Sequence, residues 1–387
     1  MDAIQRKQMA ARKFTEIYGT RPQLWARAPG RVDLMGSHTD YNLGYVMTMT
    51  IDRDTWLAAS PRLDHKVRLH SLNAEGWGEL DLRQIEHDPA YRWTDYVRGV
   101  AWALQQAGYR LQGFDGLIHS TVPFSSGLSS SAALEMAAAV MFQLSSGFRL
   151  DSVEMALLGQ KAENEFVGMN CGILDQYSSA MGQTGSAILL DCRALTSQVT
   201  PIAPGIQVVI CDTRAERNLV GSEYGERRSQ CEQGVRLLKN HYPEIQALRD
   251  VSLAQLDRHS AELPPVVYRR CRFVIEENQR VLDLAHALPG GEAKPLADLF
   301  EASYRGAVGL YEIGAPSMQA MREAMLNGPG VIAARQAGAG FGGCMVALVK
   351  ESQTKSFIVA VEQEYRRRTG IQPAIYTVQA APGAGPL

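Results

Sequence analysis

Between Trp25 and Ser60 apolar and polar residues alternate, pause over a polar stretch, and alternate again: "LWARAPGRVDLMG" and then "YVMTMTIDRDTWLAAS". A period of two suits half-buried strands, so this region reads as strand, loop, strand, with "GSHTDYNLGY" (residues 36–45) as the loop. Elsewhere the period lengthens to 3.6. "MDAIQRKQMAARKFTEIYG" and "DYVRGVAWALQQAG" (95–108) predict amphipathic helices, the second closed by a glycine. "FDGLIHSTVPFSSGLSSSAALEMAAAVMFQL" predicts a strand, a serine- and glycine-rich turn and a long helix from near Ser129. "SVEMALLGQKAENEFVG" is a further helix, and "MNCGILDQYSSAMGQTGSAILLDCR" reads as a loop leading into a hairpin. Past residue 195 come a strand ("IQVVICDT") and helices ("GSEYGERRSQCEQGVRLLKN", "RCRFVIEENQRVLDLAHAL", "LFEASYRGAVGLY"). "GVIAARQAGAGFGGCMVALVK" then enters and leaves a glycine turn by strands. The division falls near residue 195, giving domains of residues 1–195 and 196–387.

Composition narrows the classes. The 387 residues are 45% hydrophobic and 21% charged, enough for about two or three domains with sizeable cores. A net charge of −2 lacks the basic field that nucleic-acid binding needs, and the arginines of "RRRTG" read as a solvated helix face. The six cysteines include no C-x-x-C pair, which points away from zinc and disulfides and toward reduced thiols in a cytoplasm. The N-terminus lacks the apolar core of a secretion signal, and no apolar run approaches the roughly 20 residues that span a bilayer, so no membrane partner is expected.

Candidate chemistry starts at "PFSSGLSSSAALEMAAA", residues 123–139. Gly127 lets backbone approach a ligand, the serines bring hydroxyls, and the following helix directs unpaired N–H groups back at the loop, an arrangement that binds phosphate. The competing reading is a serine that merely caps the helix. "GAGFGG" (Gly338, Gly340, Gly343) matches G-x-G-x-x-G, but a strand follows it where a dinucleotide fold needs a helix, so that reading fails. It is a tight turn against either another strand or a bound substrate. "CGILDQ" sets Asp175 among apolar residues in a loop, with Glu163 twelve positions earlier on a helix. Such carboxylates are either ion-paired or at work. Phosphoryl transfer needs a carboxylate at the accepting hydroxyl, a cation between phosphates and a positive charge beside the transferred group. Asp175, Glu163 with a serine hydroxyl, and Arg31 are candidates for those roles.

Three segments, "APGRVDLMGSHTDYNLGYV", "PFSSGLSSSAALE" and "AGAGFGGCMV", together resemble the three motifs of the GHMP small-molecule kinases, and specifically those of galactokinases. "RWTDYVRGV", "CGILDQYSSAMGQTGSAILLDCR", "GSEYGERRSQCE" and "YEIGAP" extend the resemblance in the same order, from about Ala26 to about Ala347. It implies a two-domain α+β fold, an N-terminal S5-like α/β domain and a C-terminal ferredoxin-like α+β domain, with the active site in the cleft between them. It also implies phosphorylation of a sugar at its anomeric hydroxyl, with ATP and Mg2+. By the resemblance Asp175 is the catalytic aspartate and Arg31 the arginine beside it, and Ser131 and Glu163 are magnesium ligands. Ser125, Ser126, Gly127, Leu128, Ser129, Ser130 and Ser131 form the phosphate cradle, and Trp93 lies near the adenine. Ser37, His38, Asp40, Gly172 and Tyr224 are sugar-side positions. A monomer or weak homodimer is expected.

The departures bear on the substrate. Ser37 stands where galactokinases have a glutamate that accepts from the sugar's C6 hydroxyl, and Asp33 stands where they commonly have asparagine. Glu216 replaces a usual arginine, with Arg217 one step along, and Ser317 to Gln319 replace Glu-Leu-Asp. Galactose is the leading substrate. A sugar altered at C6, such as L-arabinose or galacturonate, is the alternative that Ser37 raises. A non-catalytic sugar sensor is a third reading, against which stand the intact "GLSSSAALE" and Asp175.

Overall fold

The computed structural model describes residues 2–124, 126–215 and 220–387, the side chains of residues 220–222 excepted. Ser125, Glu216 and Arg217 therefore lie outside the described residues. The first half runs α1 (Ala3–Tyr18), β1 (Leu24–Met35), β2 (Tyr45–Pro61), β3 (Lys66–Ser71), β4 (Trp77–Asp81), α2 (Asp95–Gln106), β5 (Phe114–Ser120), α3 (Ser130–Ser146), α4 (Ser152–Lys161), α5 (Leu174–Met181), β6 (Ser186–Asp191) and β7 (Thr196–Pro201). The second runs β8 (Ile206–Asp212), α6 (Val220–Leu238), α7 (Leu253–Arg258), α8 (Pro265–Ala287), α9 (Ala293–Gly309), α10 (Pro316–Leu326), β9 (Val331–Gln336), β10 (Cys344–Lys350), α11 (Thr354–Thr369), β11 (Ala374–Val378) and β12 (Gly385–Pro386).

The strands form two sheets. The first has the order β12-β1-β2-β5-β3-β4, with the β6–β7 hairpin laid on the other end of β2. β2 serves both branches because its 17 residues are long enough to pair with β6 through Tyr45 to Thr48 and with β5 through Thr55 to Pro61. The second sheet, β11-β8-β10-β9, is antiparallel throughout. With helices between β8 and β9 and α11 between β10 and β11, its connectivity is that of a ferredoxin-like split βαβ unit. The break between sheets falls between Pro201 and Ile206. It lies a few residues past the expected 195, because β7 pairs β6 from Thr196 onward. The chain also comes back: β12 joins the edge of β1, Ala26 against Pro386.

Burial follows the sequence pattern. α3 is alanine-rich and buried nearly all round, among α2, α4, α5 and the first sheet, so its N-terminus is fixed in place. Val32 and Leu34 of β1, Met47 and Met49 of β2 and Leu128 share one apolar cluster with Val208 and Val346 of the second sheet and Val281 of α8. That shared core sets the two halves, and the loops between them, in register. Among the described residues no helix is long and apolar enough to cross a membrane.

Candidate active site

The site is assembled on β1. A Cβ at Gly30 would meet the Leu128 carbonyl at 2.7 Å, so only glycine lets the serine-rich turn lie this close to the strand. The next residue, Arg31, stitches the two together: its backbone N–H donates to Leu128 O at 3.2 Å and its Nη1 to Gly127 O at 2.7 Å. The rest of the guanidinium turns to Asp175, Nε donating to Oδ1 at 2.8 Å and Nη2 to the same oxygen at 2.5 Å. Asp175 lies in the first turn of α5, not in a loop as expected. Glycines at 172 and 182 bracket this two-turn helix and its serines have weak helix propensity, so packing against α3 and α4 creates it.

Ser129 bears on the two readings of the serine turn. It takes the N-cap position of α3 but makes no capping bond; its backbone is left-handed (φ +57°), and its hydroxyl donates instead to Asp175 Oδ2 at 2.5 Å. The first N–H groups of α3 therefore keep no side-chain cap, which suits an incoming anion. Ser126 is buried, its hydroxyl bonded to Pro123 O at 2.8 Å, while Ser130 and Ser131 open the helix.

Beside Asp175 lies a pocket of acids. Glu163, in a π-helical turn (Ala162–Val167) after α4, is buried, and its carboxyl is raised first by burial and then by Asp175, with the Ser131 hydroxyl among its hydrogen-bond partners. Glu135, on α3 one turn past Ser131, is pushed well above its ordinary value by burial and by Glu163. Gln176 spans the pair, Nε2 donating to Glu163 Oε2 at 2.6 Å and Glu135 Oε2 at 2.9 Å. Glu135 Oε1 is buried without a hydrogen-bond partner. Crowded hard oxygen donors with spare acceptor capacity are what a small divalent cation requires. Sequence reasoning overlooked Glu135 and Gln176. The available signal was an acid inside the apolar run "SAALEMAAAV", the argument that singled out Asp175.

The loop after β1 is tightly held. Gly36 (φ +102°) and His38 (φ +66°) both take left-handed backbone, a strained choice for histidine that its partners enforce. His38 Nδ1 meets the Tyr41 hydroxyl and Nε2 the Ala339 carbonyl, both at 2.8 Å, and its ring lies against Tyr224 and Tyr311. Both nitrogens are thus engaged by protein, and burial lowers the ring's pKa to about 4, leaving it neutral near pH 7. Asp40 is raised to about 6 by burial, opposed by the Tyr41 backbone N–H and reinforced by Asp175 and Asp33. Gly172 is explained by Asp40, since any Cβ there would overlap that carboxylate. Tyr224 packs edge-on to Tyr41 with its ring 5.5 Å away. Ser37 is buried (3% exposed), its hydroxyl donating to Asp33 Oδ2 at 2.6 Å and accepting from Arg335 Nη2 at 2.9 Å.

The glycine turn of the third motif borders the same place, a Cβ on Gly338 lying 3.6 Å from Gly127 O, while Gly340 packs on Ile313. Trp93 stands apart from this cluster, its indole N–H donating to Glu75 O at 3.3 Å, though Tyr96 three residues on lies within the field of Glu163 and Glu135. One more set of metal-capable donors occurs among the described residues, His241, His259 and Glu262. Its two imidazoles stack with centroids 3.7 Å apart, whereas two rings on one tetrahedral ion would sit about 5 Å apart, so it is a shared carboxylate rather than a metal centre.

Comparison with known proteins agrees with this geometry. The GHMP kinase N-terminal domain matches residues 95–183 and the GHMP kinase C-terminal domain residues 284–367, and the fold is also that of mevalonate kinase from Methanococcus jannaschii (TM-score 0.64, 16% identity, 94% of this chain and 99% of that one). Fold and site together define a small-molecule kinase of the GHMP class. The galactokinase galactose-binding signature matches residues 12–61, taking in the loop after β1. Galactokinases of Roseiflexus sp. (strain RS-1) and Chloroflexus aurantiacus are each 42% identical, over 96% and 95% of this chain and 95% of each relative. The structure of Lactococcus lactis galactokinase complexed with galactose superposes with a TM-score of 0.93 at 33% identity, over 98% of this chain and 99% of that one. The chain belongs to the galactokinase family and is a sugar kinase.

Proposed function

We propose that the chain transfers the γ-phosphoryl group of ATP to the anomeric hydroxyl of galactose. The observation that carries this reading is the junction at Asp175, where a residue of the phosphate turn (Ser129) and a residue of the strand leading into the sugar loop (Arg31) grip one carboxylate. A carboxylate offers about four acceptor positions. Arg31 fills two on Oδ1 and Ser129 one on Oδ2, which leaves Oδ2 to accept from the sugar's hydroxyl. The Asp175 side chain is 27% exposed, so the carboxylate is not sealed from solvent. Asp175 then orients the attacking oxygen, and Arg31 holds both the carboxylate and the Gly127 carbonyl in the cradle from Ser126 to Ser131.

On the sugar side, Asp40 accepts from ring hydroxyls, Gly172 makes room for it, and Tyr224 and His38 wall the pocket, His38 acting through the loop it braces. Trp93 lies toward the adenine. Ser131 and Glu163 would hold Mg2+, with Glu135 behind them; when bound, the ion offsets the phosphate charge that builds during transfer. The thiols of Cys171, Cys192, Cys211, Cys231 and Cys271 suit a reducing compartment such as the cytoplasm.

The test is ADP release with Mg-ATP and galactose, L-arabinose, galacturonate, N-acetylgalactosamine or glucose. Galactose is expected to lead by tenfold or more in kcat/KM, about 1.4 kcal/mol at the transition state, and Asp175→Asn to abolish turnover in a folded protein. Full turnover in that variant, or another sugar in the lead, would overturn the assignment.

A further inference from the structure

Arg335 is a fully buried arginine on β9, in the second sheet, and its guanidinium reaches across to the end of β1. It donates to the Ser37 hydroxyl at 2.9 Å, lies 3.7 Å from Asp33 Oδ1 and lies 3.4 Å from Glu277 Oε1. Glu277, on α8, also accepts from the backbone N–H of Gly36 at 3.2 Å, from Ser303 at 2.7 Å and from Arg280 at 2.7 Å. Burial pushes Glu277 up, but Arg280 and Arg335 more than offset this and leave it below its ordinary value. Two buried arginines, Arg335 and Arg280, thus face two buried acids: Glu277, and Asp33, whose carboxyl burial pushes up against the pull of Arg335 and the Ser37 hydroxyl; Arg280 also meets Glu276 at 3.4 Å. The neutral hydroxyl of Ser37 sits between Asp33 and Arg335.

A glutamate at position 37 would set a second carboxylate against Asp33, whose Oδ2 now takes the Ser37 proton at 2.6 Å, with no buried cation added to balance it. The two departures from the first motif, a serine for glutamate and an aspartate for asparagine, therefore belong together. They move one acidic side chain from the loop onto the strand beneath it.

We propose that Asp33 and Ser37 act as one positioning unit, gripped by Arg335, that sets the height and tilt of the sugar loop. This rests on the reading of that loop as the sugar site. The residues on the loop side carry the effect, since His38 and Asp40 follow Ser37 directly, whereas Arg31, two positions before Asp33, stays pinned by Leu128, Gly127 and Asp175. A change at either member shifts the sugar pocket and leaves the phosphate turn alone.

The test is a double-mutant cycle with galactose. Ser37→Glu and Asp33→Asn are each expected to lower kcat/KM for galactose about tenfold or more through the sugar's KM, with the KM for ATP held within about twofold. Asp33→Asn/Ser37→Glu is expected to return to within about fivefold of the parent, so that the two changes are far from multiplicative. Melting temperatures of the four proteins are expected to follow the same cycle. Multiplicative effects, an unaltered Ser37→Glu, or an ATP KM that moves with the sugar KM would each overturn the unit. If the parent protein itself fails to phosphorylate galactose, the sugar reading falls, while the melting cycle still judges the pairing.

Discussion

Replacing Gly172 with alanine tests how the sugar pocket is built. A Cβ at this position would lie 3.0 Å from Asp40 Oδ1 and well inside contact with Oδ2 and Cγ. Restoring an ordinary separation of about 3.5 Å moves the carboxylate back by more than about 1 Å. Hydrogen bonds from sugar hydroxyls near 2.8 Å then stretch to about 3.8 Å, past the point where they count. Hydrogen bonds to a charged group are worth about 1.5–3 kcal/mol, so kcat/KM for galactose is expected to fall by about 10- to 150-fold, at about 1.4 kcal/mol per decade. The phosphate turn does not touch Gly172, so the KM for ATP stays within about twofold, and coupled ADP release at varied galactose and varied ATP separates the two. A Gly172→Ala enzyme with the parent's kcat/KM for galactose would refute the placement of Asp40 as a sugar acceptor.

Acidity offers a second check: with Asp40 raised to about 6 from 3.8, kcat/KM for galactose is expected to drop as the pH falls below about 6, a limb that Asp40→Asn removes. Between about pH 4 and 6 the folded protein holds a proton there that the unfolded chain has released, so ligand-free stability from this group declines as pH rises through the window. The melting difference between the parent and Asp40→Asn should track that decline and change sign nowhere in it. Ser129→Gly preserves the left-handed backbone while deleting the donor to Asp175; a kcat loss of tenfold or more is expected, and an unchanged kcat would show that Asp175 needs no such support. Glu135→Gln removes one of two mutually repelling buried acids. It is expected to raise both the melting temperature without metal and the Mg2+ concentration for half-maximal rate, and a Mg2+ dependence equal to the parent's would exclude Glu135 from the cation's field.

The local parts of this site were legible in the chain. The β1 strand, the serine turn, α3 and the strand-bounded glycine turn each announce themselves within about 20 residues by period and punctuation. Chemistry makes Asp175 and Arg31 candidates while leaving ion pairing and catalysis both open, and the helix under Asp175 has no sequence signal, because two turns stabilised only by packing leave no periodic trace. The serine turn is ambiguous in sequence, and nothing local shows that Ser129 spends its hydroxyl on Asp175 rather than on a helix cap. Ser37 shows the limit most plainly. Its two partners are Asp33, four residues away, and Arg335, almost 300 residues away, and burial turns it from a residue that faces a ligand into one that faces a guanidinium. Long-range charge pairing of this kind has no local pattern to read.

The return of the chain to its first sheet has a consequence for synthesis. Ala26 and Arg27 find their outer neighbours only in Pro386 and Gly385, and the Arg27 guanidinium closes on the carbonyls of Pro382 and Gly383. At about 5–20 residues per second a ribosome takes roughly 20 to 70 seconds to make the intervening stretch. Throughout that time the strand that carries Arg31 presents an unpaired edge. A nascent chain of this protein therefore completes this edge of its first sheet only when residues 385 and 386 emerge.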